Sequence, residues 1–213
     1  MDLDNFHRLK NTLAAGCKLI AVSKGQSMEK IQALYNEGQR DFGENFLQEL
    51  QGKKIQLPED IIWHFLGNIQ SNKLYEVMNC SDLTHSIGRK KIYDKLLTFQ
   101  SEKEKNILLQ LKLGDEESKS GFTEHEIYEI INTHPVNCPI VIKGLMVIAE
   151  NNISTSEIAK QFHFAAAVFK KIKLLDKNIE FLSMGMSGDF NIALDAGSNM
   201  IRIGTSLFGD RKK

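Results

Sequence analysis

The sequence contains few of the residues that mark special classes of protein. Its 213 residues include three cysteines, three prolines and one tryptophan. The cysteines, Cys17, Cys80 and Cys138, are too far apart to form a zinc-binding pattern, and their odd number predicts no disulfide framework. A chain without disulfides is typical of a reducing compartment, so we expect a cytoplasmic protein.

Charge and hydropathy argue against two further classes of protein. Lys and Arg together number 27, as do Asp and Glu, so the formal net charge is zero. Such a balance offers no basic surface for nucleic acid. No apolar run reaches the roughly 18 residues that cross a bilayer, and the charged start of the chain lacks the apolar core of a signal peptide. We therefore expect neither nucleic acid nor a membrane as a partner.

Apolar runs alternate with helical patterns along the whole chain. The helical spacing is clearest over residues 154–175, where Phe162, Ala165 and Phe169 fall on one face. Strands are predicted over residues 18–23, 40–44, 61–66, 82–87, 106–113, 141–148, 179–185 and 199–204. Eight strands alternating with helices predict an α/β fold, a (β/α)8 TIM barrel that occupies residues 1–213 as a single domain. An open doubly wound sheet is the alternative, and both folds place their site at the C-terminal ends of the strands.

The first predicted strand carries a lysine at its C-terminal end. Because side chains alternate along a strand, Ile20, Val22 and Lys24 share one face, which a barrel turns inward. An amine held against an apolar wall loses solvation and becomes a better nucleophile, as a Schiff-base lysine requires. The alternative is an ordinary surface lysine at a strand end.

Glycine and hydroxyl residues follow the last two predicted strands. Ser187 and Gly188 come after one strand, and Gly204 and Thr205 after the other. In many barrels the loops after strands seven and eight bind phosphate through backbone N–H groups, hydroxyl groups and the start of a helix. The alternative for each glycine is a plain chain reversal.

Three further side chains are candidates for the same rim. Arg202 alternates with two isoleucines in the last strand, so we expect it to point into the barrel. Asn45 follows the second strand, where it is suited either to bind a ligand oxygen or to cap a helix. His64 lies on a strand between aromatic residues, a setting more typical of a hydrogen-bonded core histidine than of a catalyst.

Seven segments, in this order along the chain, resemble the pyridoxal-phosphate homeostasis proteins. The resemblance extends from about residue 18 to residue 209, and the segments near the C-terminus are the most specific. The segments are LIAVSK, GQRDFGEN, WHFLGNIQSNK, ESKSG, GLM, LSMGMSGDF and AGSNMIRIGTSLFG.

This resemblance implies a barrel related to the N-terminal domain of alanine racemase, with the vitamin B6 cofactor pyridoxal 5′-phosphate bound inside it. It also implies intracellular cofactor homeostasis and delivery, with no established reaction and with cofactor-dependent apo-enzymes as partners. The implied cofactor-binding residues are Lys24 as the Schiff-base lysine, Ser187, Gly204 and Thr205 at the phosphate, Arg202 at the pyridine nitrogen, and Asn45 beside the ring.

Two other functions stay open from the sequence. An amino-acid racemase needs a second acid or base opposite the lysine, and alanine racemases also carry a C-terminal β-domain. This sequence ends four residues after Gly209, so we expect no such domain and a monomer. A sugar-phosphate enzyme that uses Lys24 toward a carbonyl group is the third hypothesis. The sequence also departs from the family pattern at Gln26, where many members have a second lysine, and at Asn68.

Overall fold

The computed structural model describes residues 2–114 and 120–209. Within these ranges strands and helices alternate along the chain. The strands are β1 (Lys18–Val22), β2 (Asp41–Glu44), β3 (Ile62–Phe65), β4 (Leu83–Ile87), β5 (Lys105–Gln110), β6 (Ile140–Met146), β7 (Phe181–Ser183) and β8 (Met200–Ile203). The helices are α1 (Leu3–Thr12), α2 (Met28–Asn36), α3 (Leu47–Gln56), α4 (Leu74–Cys80), α5 (Lys90–Leu96), α6 (Glu124–Thr133), α7 (Thr155–Leu175), α8 (Phe190–Asp195) and α9 (Thr205–Phe208).

The eight strands form a closed parallel barrel in sequence order. The last strand pairs with the first, so that Ile20 of β1 lies opposite Arg202 of β8. This closing pair confirms the predicted (β/α)8 barrel, and the alternative of an open doubly wound sheet is wrong. All eight predicted strands are present, with their ends shifted by only a few residues.

Alternation along the strands separates two apolar cores. A small core inside the barrel consists of Ile20, Leu83, Leu108, Met146 and Met200. The larger core lies between the strands and the surrounding helices, and it includes both isoleucines that flank Arg202 in β8. The prediction that Arg202 points into the barrel is therefore confirmed.

The helices follow the capping and spacing rules that their sequences contain. In α7, Ser154 caps the first turn and accepts a hydrogen bond from the backbone N–H of Glu157, whose carboxylate in turn accepts from the Ser154 N–H. Phe162, Ala165 and Phe169 bury one face of this helix, as predicted. Of the helices in the described part of the chain, none combines the length and apolar character needed to cross a bilayer.

Strand β6 contains a bulge that lets β7 approach closely. Ile107 of β5 pairs with Ile142, whereas the next residue, Leu108, pairs with Gly144, so Lys143 is the extra residue. Gly144 has φ of 147°. A Cβ atom at this position would lie 1.9 Å from the backbone oxygen of Phe181 in β7. Only glycine is compatible with both the backbone conformation and this contact.

We expect Gly144→Ala to lower the free energy of unfolding by about 3 kcal/mol, because the new methyl group must displace the backbone of β7. Gly52→Ala is the control, since nothing lies within 4 Å of a Cβ atom there. Gly52 lies inside α3, where alanine is favoured over glycine. The free energy of unfolding of this variant should therefore rise by about 0.5–1 kcal/mol. Urea denaturation of both variants measures the difference. Equal stability of the two variants would contradict the close approach of β6 and β7.

Candidate functional site

A cavity of about 370 Å³ opens at the C-terminal end of the barrel. All six residues predicted for cofactor binding line it, although they come from both ends of the sequence. The closing pair of β1 and β8 brings the two groups together. The lining residues are Val22, Lys24, Asn45, Leu66, Met146, Ile148, Met186, Ser187, Gly188, Arg202, Gly204 and Thr205.

Lys24 reaches this cavity from the turn that follows β1. Ile20 lies in the inner core, and Val22 and Lys24 line the cavity above it, as alternation along the strand predicts. Lys24 is half-buried. The next residue, Gly25, has φ of 68° and turns the chain sharply away from the barrel.

A buried cluster of charges holds this turn from behind. Ser23 donates a hydrogen bond to the Glu44 carboxylate at 2.6 Å, and the N–H of Gly25 donates to Glu49 at 2.7 Å. Lys53 of α3 joins these groups, because its Nζ donates to Glu44 at 2.7 Å, to Glu49 at 3.0 Å and to the Ser23 carbonyl at 2.8 Å. The residues on both sides of Lys24 are therefore fixed.

Glu44 and Lys53 are almost fully removed from water, with side chains 0% and 7% exposed. Burial raises the pKa of Glu44 above its usual range, although Lys53 and Ser23 act in the opposite direction. Its second oxygen, Oε2, is buried and has no hydrogen-bond partner among the described residues. Sequence analysis did not identify Lys53, because a lysine on an amphipathic helix has the pattern of a solvent-exposed residue.

Arg202 enters the cavity from inside the barrel, held by three hydrogen bonds. Its Nη1 donates to the carbonyl of Ser183 at 2.7 Å and to the Ser183 hydroxyl at 2.8 Å. Its Nη2 donates to the carbonyl of Val147 at 2.9 Å. Burial lowers the pKa of Arg202 to about 10, partly offset by Asp189. The guanidinium therefore stays charged at neutral pH and can only donate hydrogen bonds.

The loops after β7 and β8 present several donors on the same side of the cavity. The hydroxyl groups of Ser187 and Thr205 lie there with Gly188 and Gly204. Within the described residues, the backbone N–H groups of Ser187, Gly188 and Thr205 donate to no acceptor. Helix α9, which starts at Thr205, has only four residues, so its macrodipole contributes little. This donor set matches a phosphate group.

Asn45 and His64 occupy different environments. Asn45 lines the cavity, and it does not cap α3, whose cap residue is Phe46. His64 is a buried core residue that bonds to Asp41 and His85, so the interpretation as a hydrogen-bonded core histidine is confirmed. Lys119, in the ESKSG segment after β5, would occupy a rim position by its place in the sequence, and it lies outside the described residues.

Comparison with known proteins identifies the family. Residues 3–212 match the family of the alanine racemase N-terminal domain. The pyridoxal phosphate homeostasis protein of Vibrio alginolyticus is 38% identical over 201 residues, which cover 91% of this chain and 86% of the relative. This chain belongs to the family of pyridoxal phosphate homeostasis proteins. The resemblance seen in the sequence is thereby confirmed.

Two solved structures place the barrel within this family and its wider fold. PipY of Synechococcus elongatus, solved with PLP bound, has a TM-score of 0.87 and 31% identity, covering 97% of this chain and 99% of PipY. Alanine racemase from E. faecalis has a TM-score of 0.77 and 19% identity, covering 97% of this chain and 57% of the racemase. The racemase likeness is one of fold, and it supports the predicted relation to the racemase barrel.

The two departures from the family pattern lie outside the cavity lining. Gln26 accepts a hydrogen bond from Lys30 at 2.9 Å, and Lys30 also donates to the Phe208 carbonyl at 3.1 Å. Asn68 accepts from Arg89 at 3.2 Å. The part of the chain that the structure describes contains no group of His, Cys, Asp and Glu side chains suited to a metal ion.

We expect Lys53→Met to lower the free energy of unfolding by about 3–5 kcal/mol at pH 7, because it leaves the Glu44 carboxylate buried without its cation. The pKa of Glu44 is higher in the folded than in the unfolded chain. As the pH falls toward that raised pKa, the Glu44 carboxylate takes up its proton in the folded variant before it does so in the unfolded chain. The loss in free energy of unfolding caused by Lys53→Met should therefore shrink in acid.

Lys90→Met is the matched control, since it breaks an ion pair with Asp94 on the surface of α5. Such exposed pairs contribute roughly 0–1 kcal/mol. Denaturant titrations at pH 7 and at pH 5 compare the two variants. A Lys53→Met protein as stable as Lys90→Met, or one whose deficit grows in acid, would contradict the role of the buried cluster.

Proposed function

We propose that this protein binds pyridoxal 5′-phosphate in the cavity through Lys24 and holds it in reserve for cofactor-dependent enzymes, without a reaction of its own. The observation that carries the proposal is the placement of one lysine amine and a set of phosphate donors in a single cavity. The name of the Vibrio relative and the PLP-bound structure of PipY support the same ligand. We propose the cytoplasm as its location, since Cys17, Cys80 and Cys138 are free thiols.

The donor set of the cavity fits the cofactor group by group. Ser187 and Thr205, with the backbone N–H groups beside them, would hold the phosphate. Lys24 would supply the amine, and Asn45 a hydrogen bond beside the ring. When bound, pyridoxal phosphate supplies an aldehyde that condenses reversibly with an amine and a ring that can withdraw electrons.

Arg202 favours storage of the cofactor over catalysis. Its guanidinium stays protonated and can only donate hydrogen bonds. Facing a pyridine nitrogen, it would keep that nitrogen unprotonated, and an unprotonated ring withdraws electrons weakly. An aspartate or glutamate at the same place would favour a protonated pyridine nitrogen. Arg202 therefore argues against chemistry that needs a strongly stabilised carbanion, although racemases tolerate such an arginine.

The described residues that line the cavity offer no second acid or base for a racemase opposite Lys24. A two-base racemase needs a proton donor on the side opposite the lysine. Among the described residues that line the cavity, Lys24 and Arg202 are the titratable ones. The four tyrosines lie in the outer helices: Tyr35 in α2, Tyr75 in α4, Tyr93 in α5 and Tyr128 in α6.

The absorption spectrum of the purified protein tests the ligand and its anchor. After addition of pyridoxal phosphate the protein should turn yellow, because the bond between the cofactor aldehyde and the Lys24 amine absorbs visible light. Borohydride should bleach the band and fix the cofactor to the peptide that contains Lys24. Lys24→Ala should abolish the band, whereas Lys54→Ala, which removes an exposed lysine of α3, should keep it.

Each failure in this experiment has a distinct meaning. A full visible band in Lys24→Ala would mean that another amine is the anchor. A colourless wild-type protein, even with excess cofactor, would overturn the cofactor itself. The third hypothesis, a Schiff-base enzyme that acts on a sugar phosphate, would then be tested by borohydride trapping of a sugar phosphate at Lys24.

A racemase assay separates storage from catalysis. The cofactor-loaded protein should convert L-alanine to D-alanine no faster than free pyridoxal phosphate does, since none of the described residues that line the cavity is a second base. An authentic alanine racemase in the same assay serves as the positive control. Turnover above the free-cofactor rate that disappears in Lys24→Ala would establish an enzyme and overturn the storage proposal.

A further inference from the structure

A continuous chain of five hydrogen-bonded side chains crosses the interior of the barrel. It starts at Arg202, whose Nη1 lies 2.8 Å from the Oγ of Ser183. That oxygen lies 3.1 Å from His85 Nδ1, and His85 Nε2 lies 2.9 Å from His64 Nδ1. The last link joins His64 Nε2 to Asp41 Oδ1 at 3.0 Å.

This chain connects the cavity with the opposite end of the barrel. Asp41 begins β2 and pairs at 3.1 Å with Lys18, which begins β1. The two histidines between the ends are 1% and 0% exposed. Polar groups buried this deeply are costly unless every one has a partner. Of these five hydrogen-bonded side chains, the proposed binding of the cofactor uses Arg202 alone.

The chemistry of the two ends fixes the direction of every bond. Arg202 can only donate, so the Ser183 oxygen accepts from it. At the other end an ionised Asp41 can only accept, so His64 carries a proton on Nε2. If both rings are neutral, His64 Nδ1 accepts from His85 Nε2–H, and His85 Nδ1 accepts the hydroxyl proton of Ser183. All donors then point from Arg202 toward Asp41.

The electrostatics of the groups agree with this neutral state. Burial is the largest influence on His85 and lowers its pKa well below the usual range, and the charges of His64 and Arg202 act in the same direction. Burial alone would raise the pKa of Asp41, but His64 and Lys18 lower it overall. Asp41 is therefore ionised at neutral pH, and His85 stays uncharged.

We propose that His85 and His64 are positioning residues for Arg202, acting through the Ser183 hydroxyl in a hydrogen-bonded chain whose donors all point toward Asp41. The charged groups packed against the chain are Lys18 from β1, Asp41 from β2 and Arg202 from β8. The consequence for the cofactor rests on the proposed function: two main-chain carbonyls hold the guanidinium, and His85 sets its third hydrogen bond through Ser183.

The protein without cofactor tests the chain directly. NMR of ¹⁵N-labelled histidine distinguishes the two neutral tautomers from the charged ring. At pH 8 both His64 and His85 should carry their proton on Nε2. Assignment uses the spectra of His64→Gln and His85→Gln.

Two results of this experiment would overturn the proposal. The first is an Nδ1–H tautomer of His85 at pH 8, which would contradict the donor direction. The second is a charged His85 ring at pH 8, because a charged ring would have to donate to Ser183 instead of accepting its hydroxyl proton.

Cofactor binding tests the positioning role. His85→Phe removes both hydrogen bonds of the ring, so we expect a dissociation constant for pyridoxal phosphate at least about tenfold higher than that of wild type. His85→Gln keeps one donor and one acceptor and should lose less affinity. His134→Phe is the control, since it removes a histidine that bonds to Tyr93 outside the barrel interior, and its affinity should equal that of wild type.

The spectrum distinguishes positioning from a merely structural effect. In His85→Phe the visible band should still form at Lys24, but its pH dependence should shift, because Arg202 no longer keeps its place. A His85→Phe protein with wild-type affinity and an unchanged pH profile would overturn the positioning role. If wild-type protein binds no cofactor at all, the proposed function fails. The NMR experiment then still tests the donor direction along the hydrogen-bonded chain, because it uses protein without cofactor. If His85→Phe does not fold, His85→Gln replaces it.

Discussion

The pairing of the first strand with the last is the constraint on which the site depends. Lys24 and Arg202 are far apart in the sequence, and only the closed barrel makes them neighbours. The register places Ile20 opposite Arg202 and Ala21 opposite Ile203, so the turn after β1 and the loop after β8 open into one cavity. A shift of this register by one residue would exchange the inner and outer faces of β8 and turn Arg202 into the outer apolar core.

The interior of this barrel differs from a purely aliphatic one. Its apolar core is small and is completed by histidine, serine and arginine side chains. Each buried polar atom costs free energy unless it has a partner, and here the partners are one another. The same arrangement explains why the arginine has a fixed position: its three hydrogen bonds go to β7 and to the residue after β6. The part of the cavity floor that Arg202 forms is therefore built from the strands themselves.

Much of the fold and of the cavity follows from short-range sequence patterns. Apolar runs locate the strands, and alternation within β1 and β8 is enough to turn Lys24 and Arg202 inward. The contacts of His64 with His85 and of Lys53 with Glu44 do not follow from such patterns. The first depends on the register between β3 and β4, in which His64 lies opposite Leu83. The second depends on how α3 packs against the sheet, and its lysine has the spacing of an exposed helix face.

A cavity that stores a cofactor has to satisfy two demands that oppose each other. It must bind tightly enough to keep a reactive aldehyde from other amines, and it must release the aldehyde on demand. A covalent but reversible bond to an amine meets both, because hydrolysis breaks what condensation forms. Access for water then matters more than its exclusion. Two lining residues, Ile148 and Met186, are 44% and 38% exposed, so the mouth of the cavity is open to solvent.

An open mouth is unfavourable for catalysis of the racemase type. Proton abstraction from carbon benefits when water is excluded and when charges are stabilised in a region of low dielectric constant. Here the low-dielectric region lies below the cavity, in the buried chain that starts at Arg202, whereas the half-buried Lys24 lies above it at the rim. Burial disfavours the charge of Arg202, and the hydrogen bonds to Ser183 and Val147 satisfy its buried N–H groups. The open mouth of the cavity and the buried arginine below it are therefore consistent with a member of the pyridoxal phosphate homeostasis family.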